Sequence, residues 1–157
     1  MKVTLIVVGK TDAEYLRTGI DEYTKRLKHY LPMEVVVLPD VKNAKSLSEE
    51  QQKKAEGQMI LSQVATSDHV CLLDENGQEF TSRQFAETFE RLSASGAKRV
   101  VFVIGGPYGF SEEVYGRANS KISLSRMTYS HQMVRLIFVE QLYRAQTILR
   151  GEPYHHD

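Results

Sequence analysis

The segment Arg99–Ile104 constrains the fold most, because it reads RVVFVI and has no alternation of polar and apolar residues after its first position. A strand that is apolar at successive positions is buried on both faces, as in a parallel sheet covered by helices. Three short runs rich in β-branched and apolar residues precede it, at Val3–Val8, Met33–Leu38 and Val70–Asp74. Helical patterns separate these runs. The alternation predicts an α/β fold with a mainly parallel sheet flanked by helices.

Capping signals predict where the helices begin. Thr11–Glu14 and Thr81–Gln84 have the spacing of capping boxes, which predicts helices to about His29 and about Ser95. The remaining elements predicted from patterns are a helix from Ser46 or Ser48 to about Val64, a short helix after Ser111, a fifth strand at Ile122–Leu124 and a closing helix over Ser130–Arg150.

Length, charge and composition limit what kind of protein this chain can be. The 157 residues, 41% of them hydrophobic, predict one domain over 1–157 with a single core. Twenty basic and twenty acidic side chains cancel, so bulk electrostatics do not indicate nucleic acid, although a local basic face stays possible. The lone Cys71 cannot form an intrachain disulfide, and no window is long and apolar enough to span a membrane. We therefore expect a cytoplasmic protein without a membrane segment.

Ligands of parallel α/β sheets bind beyond the carboxyl ends of the strands, which directs attention to the loops Asp74–Phe80, Gly105–Phe110 and Ser125–Ser130. The second loop follows the buried strand and reads GGPYGF, which allows a ligand to lie against bare backbone. A tight turn between strand and helix explains the same residues. The loop matches neither the dinucleotide fingerprint nor a Walker loop.

The segment Leu124–Tyr129, LSRMTY, offers backbone amides, two hydroxyls, a guanidinium and a thioether. This mixture suits an adenosine-type ligand, whose ring needs apolar walls and whose edge needs backbone donors and acceptors. A polar connection with a helix cap at Thr128 or Ser130 is the alternative.

The closing helix is apolar around most of its circumference, which predicts burial on more than one side, against its own sheet and a second copy of the chain. Two arginines interrupt it. Both need partners, either a carboxylate such as Glu140 or an anionic ligand. A structural ion pair is the simpler interpretation for Arg135, and we expect a functional role for Arg144. For His131, a pocket role and a capping role are both open. The terminal run His155, His156 and Asp157 lacks the spacing of a rigid metal site, so no metal is expected.

Several motifs together resemble one family over essentially the whole chain. These motifs are the opening VGK, EYTKRL in the first helix, IGGPYG, LSRMTYSHQMVR, EQLYRA and the terminal RGEPYH. They are similar to those of the methyltransferases that act on N3 of pseudouridine in large-subunit ribosomal RNA, which belong to the SPOUT class. Two positions depart from that pattern: Ser130 stands where the family often has proline, and Gln78 follows Gly77 where it has lysine.

The resemblance implies a C-terminal trefoil knot, a homodimer and S-adenosylmethionine as cofactor. The cofactor-binding residues that it implies are Leu73, Gly105, Leu124, Ser125, Arg126, Met127, Thr128 and Tyr129. The catalytic residues that it implies are Arg144, Tyr154 and His155, with His131 nearby.

The neutral charge, combined with this resemblance, predicts recognition by shape and hence a substrate in the assembled ribosome rather than free RNA. Two other classes of function stay open. One is a non-catalytic ribosome- or RNA-binding module, which needs no glycine loop. The other is a small α/β enzyme that uses another adenine-containing ligand.

Overall fold

The computed structural model describes residues 1–156. Five parallel strands form one sheet in the order β2-β1-β4-β3-β5, which confirms the predicted fold class. The strands are β1 (Lys2–Val8), β2 (Met33–Leu38), β3 (His69–Glu79), β4 (Arg99–Ile104) and β5 (Ser120–Ser123). The helices are α1 (Glu14–Leu27), α2 (Glu49–Ser62), α3 (Ser82–Ala94), α4 (Glu112–Arg117) and α5 (Met133–Leu149), and a 3-10 turn covers Ala44–Ser46.

Strand β4 shows why the sheet is covered on both faces. Its residues Val100, Phe102 and Ile104 join one apolar cluster with residues of α1, α3 and α5. Val101 and Val103 point to the other face and join a second cluster with residues of α2 and α4. Because successive side chains of a strand alternate between faces, the unbroken apolar run supplies both layers.

The closing helix α5 packs on the sheet between α1 and α3. Phe138, which is fully buried, lies 4.7 Å from the ring of Phe102 between centroids. Neighbours within the chain therefore account for much of the apolar circumference that led us to expect a second copy.

Two predicted helix starts were wrong. The N-cap of α1 is Ala13, without a side-chain hydrogen bond, instead of Thr11. Helix α5 begins at Met133, and the hydroxyl of Ser130 accepts a hydrogen bond from its backbone N–H at 3.0 Å. The capping box at Thr81 is confirmed, as are the caps at Ser48 and Ser111.

Strand β3 is longer than predicted. Both Leu73 and Gln78 pair with Ile122 of β5, so residues 74–77 bulge out of the ladder before pairing resumes. The expected loop after Asp74 is thus an interruption inside a strand. Gly77 allows the return, because a Cβ there would lie 2.7 Å from backbone atoms of Ile122.

Candidate active site

A cavity of about 610 Å³ opens beside the bulge of β3, at the carboxyl ends of β4 and β5. Its walls come from the bulge of β3, the glycine loop after β4 and the segment after β5, the three regions that the sequence predicted to converge. His131 and all but one of the predicted cofactor residues line this cavity. Those cofactor residues are Leu73, Gly105, Leu124, Ser125, Met127, Thr128 and Tyr129.

Arg126 is the exception. Its side chain is 88% exposed and its guanidinium forms an ion pair with Glu79 at 2.7 Å. The structure therefore directs this residue away from the cavity wall, and any contact of Arg126 with a ligand would be made through its backbone or after a rotamer change.

The glycine loop presents backbone to the cavity. A Cβ on Gly105 would lie 3.1 Å from the Phe110 ring, so a side chain there would crowd the turn. Gly109 has a φ of +83°, a conformation that residues with a Cβ rarely adopt, and it forms an isolated bridge with Gly106. The bridge between Gly106 and Gly109 closes the bend, and the peptide groups of the loop stay accessible to a ligand.

The segment after β5 is braced by its own hydroxyls. Ser123 donates to the Ser125 carbonyl at 2.9 Å, and the Ser125 hydroxyl accepts from the Met127 N–H at 2.9 Å. Thr128 donates to the carboxylate of Glu75 at 2.9 Å, which ties this segment to the bulge of β3. Met127 is 78% exposed at the rim, so its thioether is available to a ligand.

Two acidic residues of the bulge, Asp74 and Glu75, line the cavity although we did not predict them. The hydroxyl of Tyr115 donates to Asp74, and burial together with that carboxylate raises the pKa of Tyr115 to about 12. The wall therefore carries negative charge and suits a ligand with positive charge. The sequence directed attention to the loop that begins at Asp74 but did not indicate that these two carboxylates face the cavity, because carboxylates in a polar loop are usually solvent-exposed.

His131 lies in the turn before α5 and borders the cavity. Burial, followed by the charge of Arg135, lowers its pKa and favours the neutral ring. A neutral imidazole can accept a proton, so the pocket role left open for His131 has a chemical basis.

Arg135 is fully buried, but the predicted ion pair is wrong. Its guanidinium donates to the carbonyls of Val8 at 2.7 Å and Gly9 at 2.8 Å, and to the hydroxyl of Thr11 at 3.0 Å. Its Nε donates to the carbonyl of His131 at 3.0 Å. The residue fastens the end of β1 to the start of α5, next to the cavity.

Arg144, Tyr154 and His155 form a second cluster at the other end of α5. Arg144 pairs with Glu140 at 2.5 Å, lies 3.1 Å from the Nδ1 of His155, and stacks 4.8 Å above the Tyr154 ring. The Tyr154 hydroxyl donates to Glu140 at 2.9 Å. The expected carboxylate partner of Arg144 is thus present, and the pair with Glu140 raises the pKa of the guanidinium.

The chain reaches this cluster through a helix-terminating turn. Gly151, at φ +68°, donates to the Ile148 carbonyl, and Glu152 donates to that of Thr147, the pair of bonds that defines a Schellman motif. The turn folds the tail back on its own helix, where Tyr154 meets Tyr143 and Tyr23. Within one chain, this tail packs on α5 and α1.

The cavity and the Arg144 cluster are separate within one chain. Val134 lines the cavity. Ten residues of helix at 1.5 Å per residue place Arg144 about 15 Å along α5 from that point. The Nε of Arg144 is buried and has no hydrogen-bond partner within the described residues. The two predicted groups of site residues do not meet in a single chain.

Among residues 1–156, no group of three or more His, Cys, Asp and Glu side chains is arranged to hold a metal ion. Asp157, considered above with His155 and His156, lies outside the described residues. In the same part of the chain, none of the helices combines the length and the apolar character needed to cross a membrane.

Comparison with known proteins gives consistent matches over the full length. The model of the family described as "Predicted SPOUT methyltransferase" matches residues 1–155. A protein of Parabacteroides distasonis named ribosomal RNA large subunit methyltransferase H is 59% identical over 157 residues, covering 100% of both chains. Proteins of the same name from Flavobacterium johnsoniae and Bacteroides fragilis are 57% and 54% identical, covering 99% and 100% of both chains.

Proposed function

Because this chain belongs to the SPOUT methyltransferase family, we propose that it is an S-adenosylmethionine-dependent enzyme that methylates N3 of a pseudouridine in large-subunit ribosomal RNA. The observation that supports this most is the cavity beside the bulge of β3 and the ends of β4 and β5, where the glycine loop and the LSRMTY segment meet. The relatives' name supports the ribosomal RNA substrate. The pseudouridine N3 rests on the resemblance of the sequence motifs.

The residues of the cavity fit this cofactor. A volume of about 610 Å³ lies within the range of ligand pockets, roughly 300–1,000 Å³. Backbone groups of the glycine loop and of Leu124–Tyr129 are available to read an adenine edge, and Asp74 and Glu75 complement positive charge on a sulfonium and an amino group. When bound, the cofactor supplies an electrophilic methyl group.

The protein must hold the accepting nitrogen in line with that methyl group, at about 3 to 3.5 Å. N3 of pseudouridine is a weakly acidic imide, which becomes a good nucleophile once its proton has left. The Arg144 guanidinium is suited to stabilise the resulting anion or to hold a phosphate. His131, whose pKa is lowered, and His155 are the two candidate proton acceptors. Tyr154 offers a ring on which the base can stack.

A homodimer joins the two clusters in this proposal. The Arg144 cluster lies about 15 Å along α5 from the cavity of its own chain. We infer that α5 and its folded tail present Arg144, Tyr154 and His155 to the cavity of a second copy. The trefoil knot typical of the family remains a prediction for this chain.

Mixed dimers test this shared site. Subunits carrying Arg144→Ala are combined with subunits carrying Gly105→Ala, a change that crowds the glycine turn against Phe110. A shared site leaves one intact site in every mixed dimer, so a random mixture recovers about a quarter of wild-type activity. Recovery of none would contradict the shared site, because each site would then keep one defect.

The neutral net charge favours a folded substrate. Without bulk electrostatic attraction, recognition depends on shape, which assembled ribosomal particles provide and free RNA lacks. We propose action in the cytoplasm on assembled large subunits or ribosomes. Equal turnover on protein-free ribosomal RNA would contradict this part of the proposal.

Single substitutions of Arg144, Tyr154, His155 and His131 to alanine, assayed on isolated ribosomes, test the catalytic assignment. The matched control is His156→Ala, which removes an exposed neighbour of His155. We expect lower turnover for the four variants and wild-type turnover for the control. Unchanged rates for Arg144, Tyr154 and His155 would refute the composite site.

Two measurements separate the proposal from its alternatives. Calorimetry with S-adenosylmethionine gives no binding if the chain is a non-catalytic ribosome-binding module. Mass spectrometry of ribosomal RNA from cells lacking this protein identifies the product. Loss of one methyl group from one pseudouridine is expected, and an unchanged modification pattern would contradict the reaction.

A further inference from the structure

A buried carboxylate lies directly against the glycine loop. Glu56 of α2 is 4% exposed, and its position excludes a side chain at Gly106, where a Cβ would lie 2.6 and 2.7 Å from the two carboxylate oxygens. Glu56 itself does not line the cavity, whereas Gly105 and Gly106 do. The carboxylate therefore contacts the loop on the side away from the cavity.

Few groups compensate the charge of Glu56. Gln52 donates to its Oε2 at 3.2 Å, and the backbone N–H of Gly106 also favours the charged form. Burial, with a smaller contribution from Asp40, nevertheless raises the pKa of Glu56. A buried acid with so little compensation costs stability, so packing alone gives no reason for a carboxylate at this position.

The support beneath the loop is closely packed. Next to Glu56, Gly57 brings α2 so close to the cap of α4 that a Cβ would lie 2.4 Å from the Ser111 hydroxyl. Phe110, at the end of the loop, packs in one apolar cluster with Ile60 of α2. Helix α2 thus fixes both the turn and the end of the glycine loop.

We propose that Glu56 is a positioning residue of the methyltransferase, whose carboxylate holds the Gly105–Gly106 turn in the conformation that the cofactor requires. This inference rests on the proposed function of the cavity. Glu56 acts through the backbone of Gly106 and does not touch the cofactor. Its loss should therefore weaken cofactor binding while leaving the chemistry of a saturated site nearly unchanged.

The test compares Glu56→Ala with Glu56→Gln in the full-length protein. The alanine variant loses the acceptor oxygens, and we expect its Kd and KM for S-adenosylmethionine to rise about tenfold while kcat stays within about twofold. The glutamine variant keeps an acceptor oxygen without a buried charge. It should bind within about threefold of wild type and unfold at the same temperature or higher. The matched control, Glu50→Ala, removes an exposed carboxylate from the same helix and should change neither the Kd nor the KM for S-adenosylmethionine.

A double-mutant cycle with Gly106→Ala tests the same contact in a second way. Gly106→Ala places a methyl group against the carboxylate and should displace the loop. Combined with Glu56→Ala, the same methyl group has space, so the double variant should lose less affinity than the sum of the two single losses. Additive losses would overturn the proposal.

Hydrogen exchange of residues 104–111 in the protein without cofactor separates this inference from the proposed function. We expect faster exchange in Glu56→Ala than in wild type and in Glu50→Ala. If wild type does not bind S-adenosylmethionine, the proposed function fails and the exchange comparison still decides the role of Glu56. Unchanged exchange and unchanged affinity in Glu56→Ala would overturn the positioning role of Glu56. A loss of affinity in Glu56→Gln equal to that in Glu56→Ala would also overturn it.

Discussion

Arg135 offers the sharpest test of how the cavity is built. It donates four hydrogen bonds, at 2.7 to 3.0 Å, to the carbonyls of Val8, Gly9 and His131 and to the hydroxyl of Thr11. No carboxylate among the described residues lies within ion-pair distance of it. Its contribution therefore comes from hydrogen bonds to neutral acceptors and not from a salt bridge.

The perturbation is Arg135→Met, which keeps the length of the side chain and removes the donors. The buried carbonyls of Val8 and Gly9 and the partly buried carbonyl of His131 then lose a donor, at about 1–3 kcal/mol each, while relief from burying a guanidinium offsets part of the loss. We expect a net loss near the lower bound of that sum, about 3 kcal/mol. For a chain of this size, this corresponds to a fall in Tm of roughly 6–12 °C.

Arg17→Met is the matched control. Arg17 donates to the carbonyls of Thr11 and Asp12 at 2.9 and 2.6 Å, so it holds the same loop, but those bonds are exposed. Water replaces the lost donors, and we expect a loss of about 1 kcal/mol or less. Urea unfolding followed by circular dichroism, at one protein concentration because the proposed dimer makes stability concentration-dependent, measures both variants. Equal losses, or a loss below about 1 kcal/mol for Arg135→Met, would refute the reasoning.

Three further predictions follow from contacts in the fold. The hydrogen bond from Arg99 lowers the pKa of Asp68 in the folded protein. The ionised carboxylate therefore stabilises the fold at a pH above its unfolded pKa, and this contribution is lost as the pH falls through the lower folded pKa. In urea titrations, Asp68→Asn should be less stable than wild type at neutral pH and less sensitive to acid below about pH 4. Phe138→Ala removes a fully buried ring and should lower the free energy of unfolding by about 3–5 kcal/mol in the same measurement. A loss below about 1 kcal/mol would contradict the packing of this ring. Gly77→Ala should push β5 from β3 and raise the Kd for S-adenosylmethionine, whereas Gly116→Ala, with nothing within 4 Å of the new Cβ, should leave it unchanged.

Local signals in the sequence predicted most of the elements. Runs rich in β-branched and apolar residues located β2 and β4 at their observed bounds and β1 to within one residue. Hydroxyl side chains also located the starts of three helices. Thr81 and Ser111 were predicted for α3 and α4, and Ser48 was one of two candidates for the start of α2. A helix start is predictable because its capping side chain bonds a backbone group three residues away. A strand is predictable because its burial pattern is visible in consecutive residues, although its hydrogen bonds go to distant strands.

The failed cap at Thr11 shows where local signals stop. The hydroxyl of Thr11 accepts from Arg135 and the N–H of Asp12 donates to Gln132, both more than a hundred residues away. Long-range partners thus occupy the groups that a local cap would use. The same limit applies to Glu56, Asp74 and Glu75, whose roles depend on neighbours that periodicity does not identify.

The sequence by itself determined the α/β class, the mainly parallel sheet and the loops on which a ligand site depends, because burial pattern and turn chemistry act locally. The tertiary structure alone decided the order β2-β1-β4-β3-β5, which brings the glycine loop beside the bulge of β3 and the segment after β5. It also placed Arg144 and the tail at the far end of α5. Strand order and helix direction depend on crossover connections and on packing between distant segments, and the free energy of those contacts is absent from any single stretch of sequence.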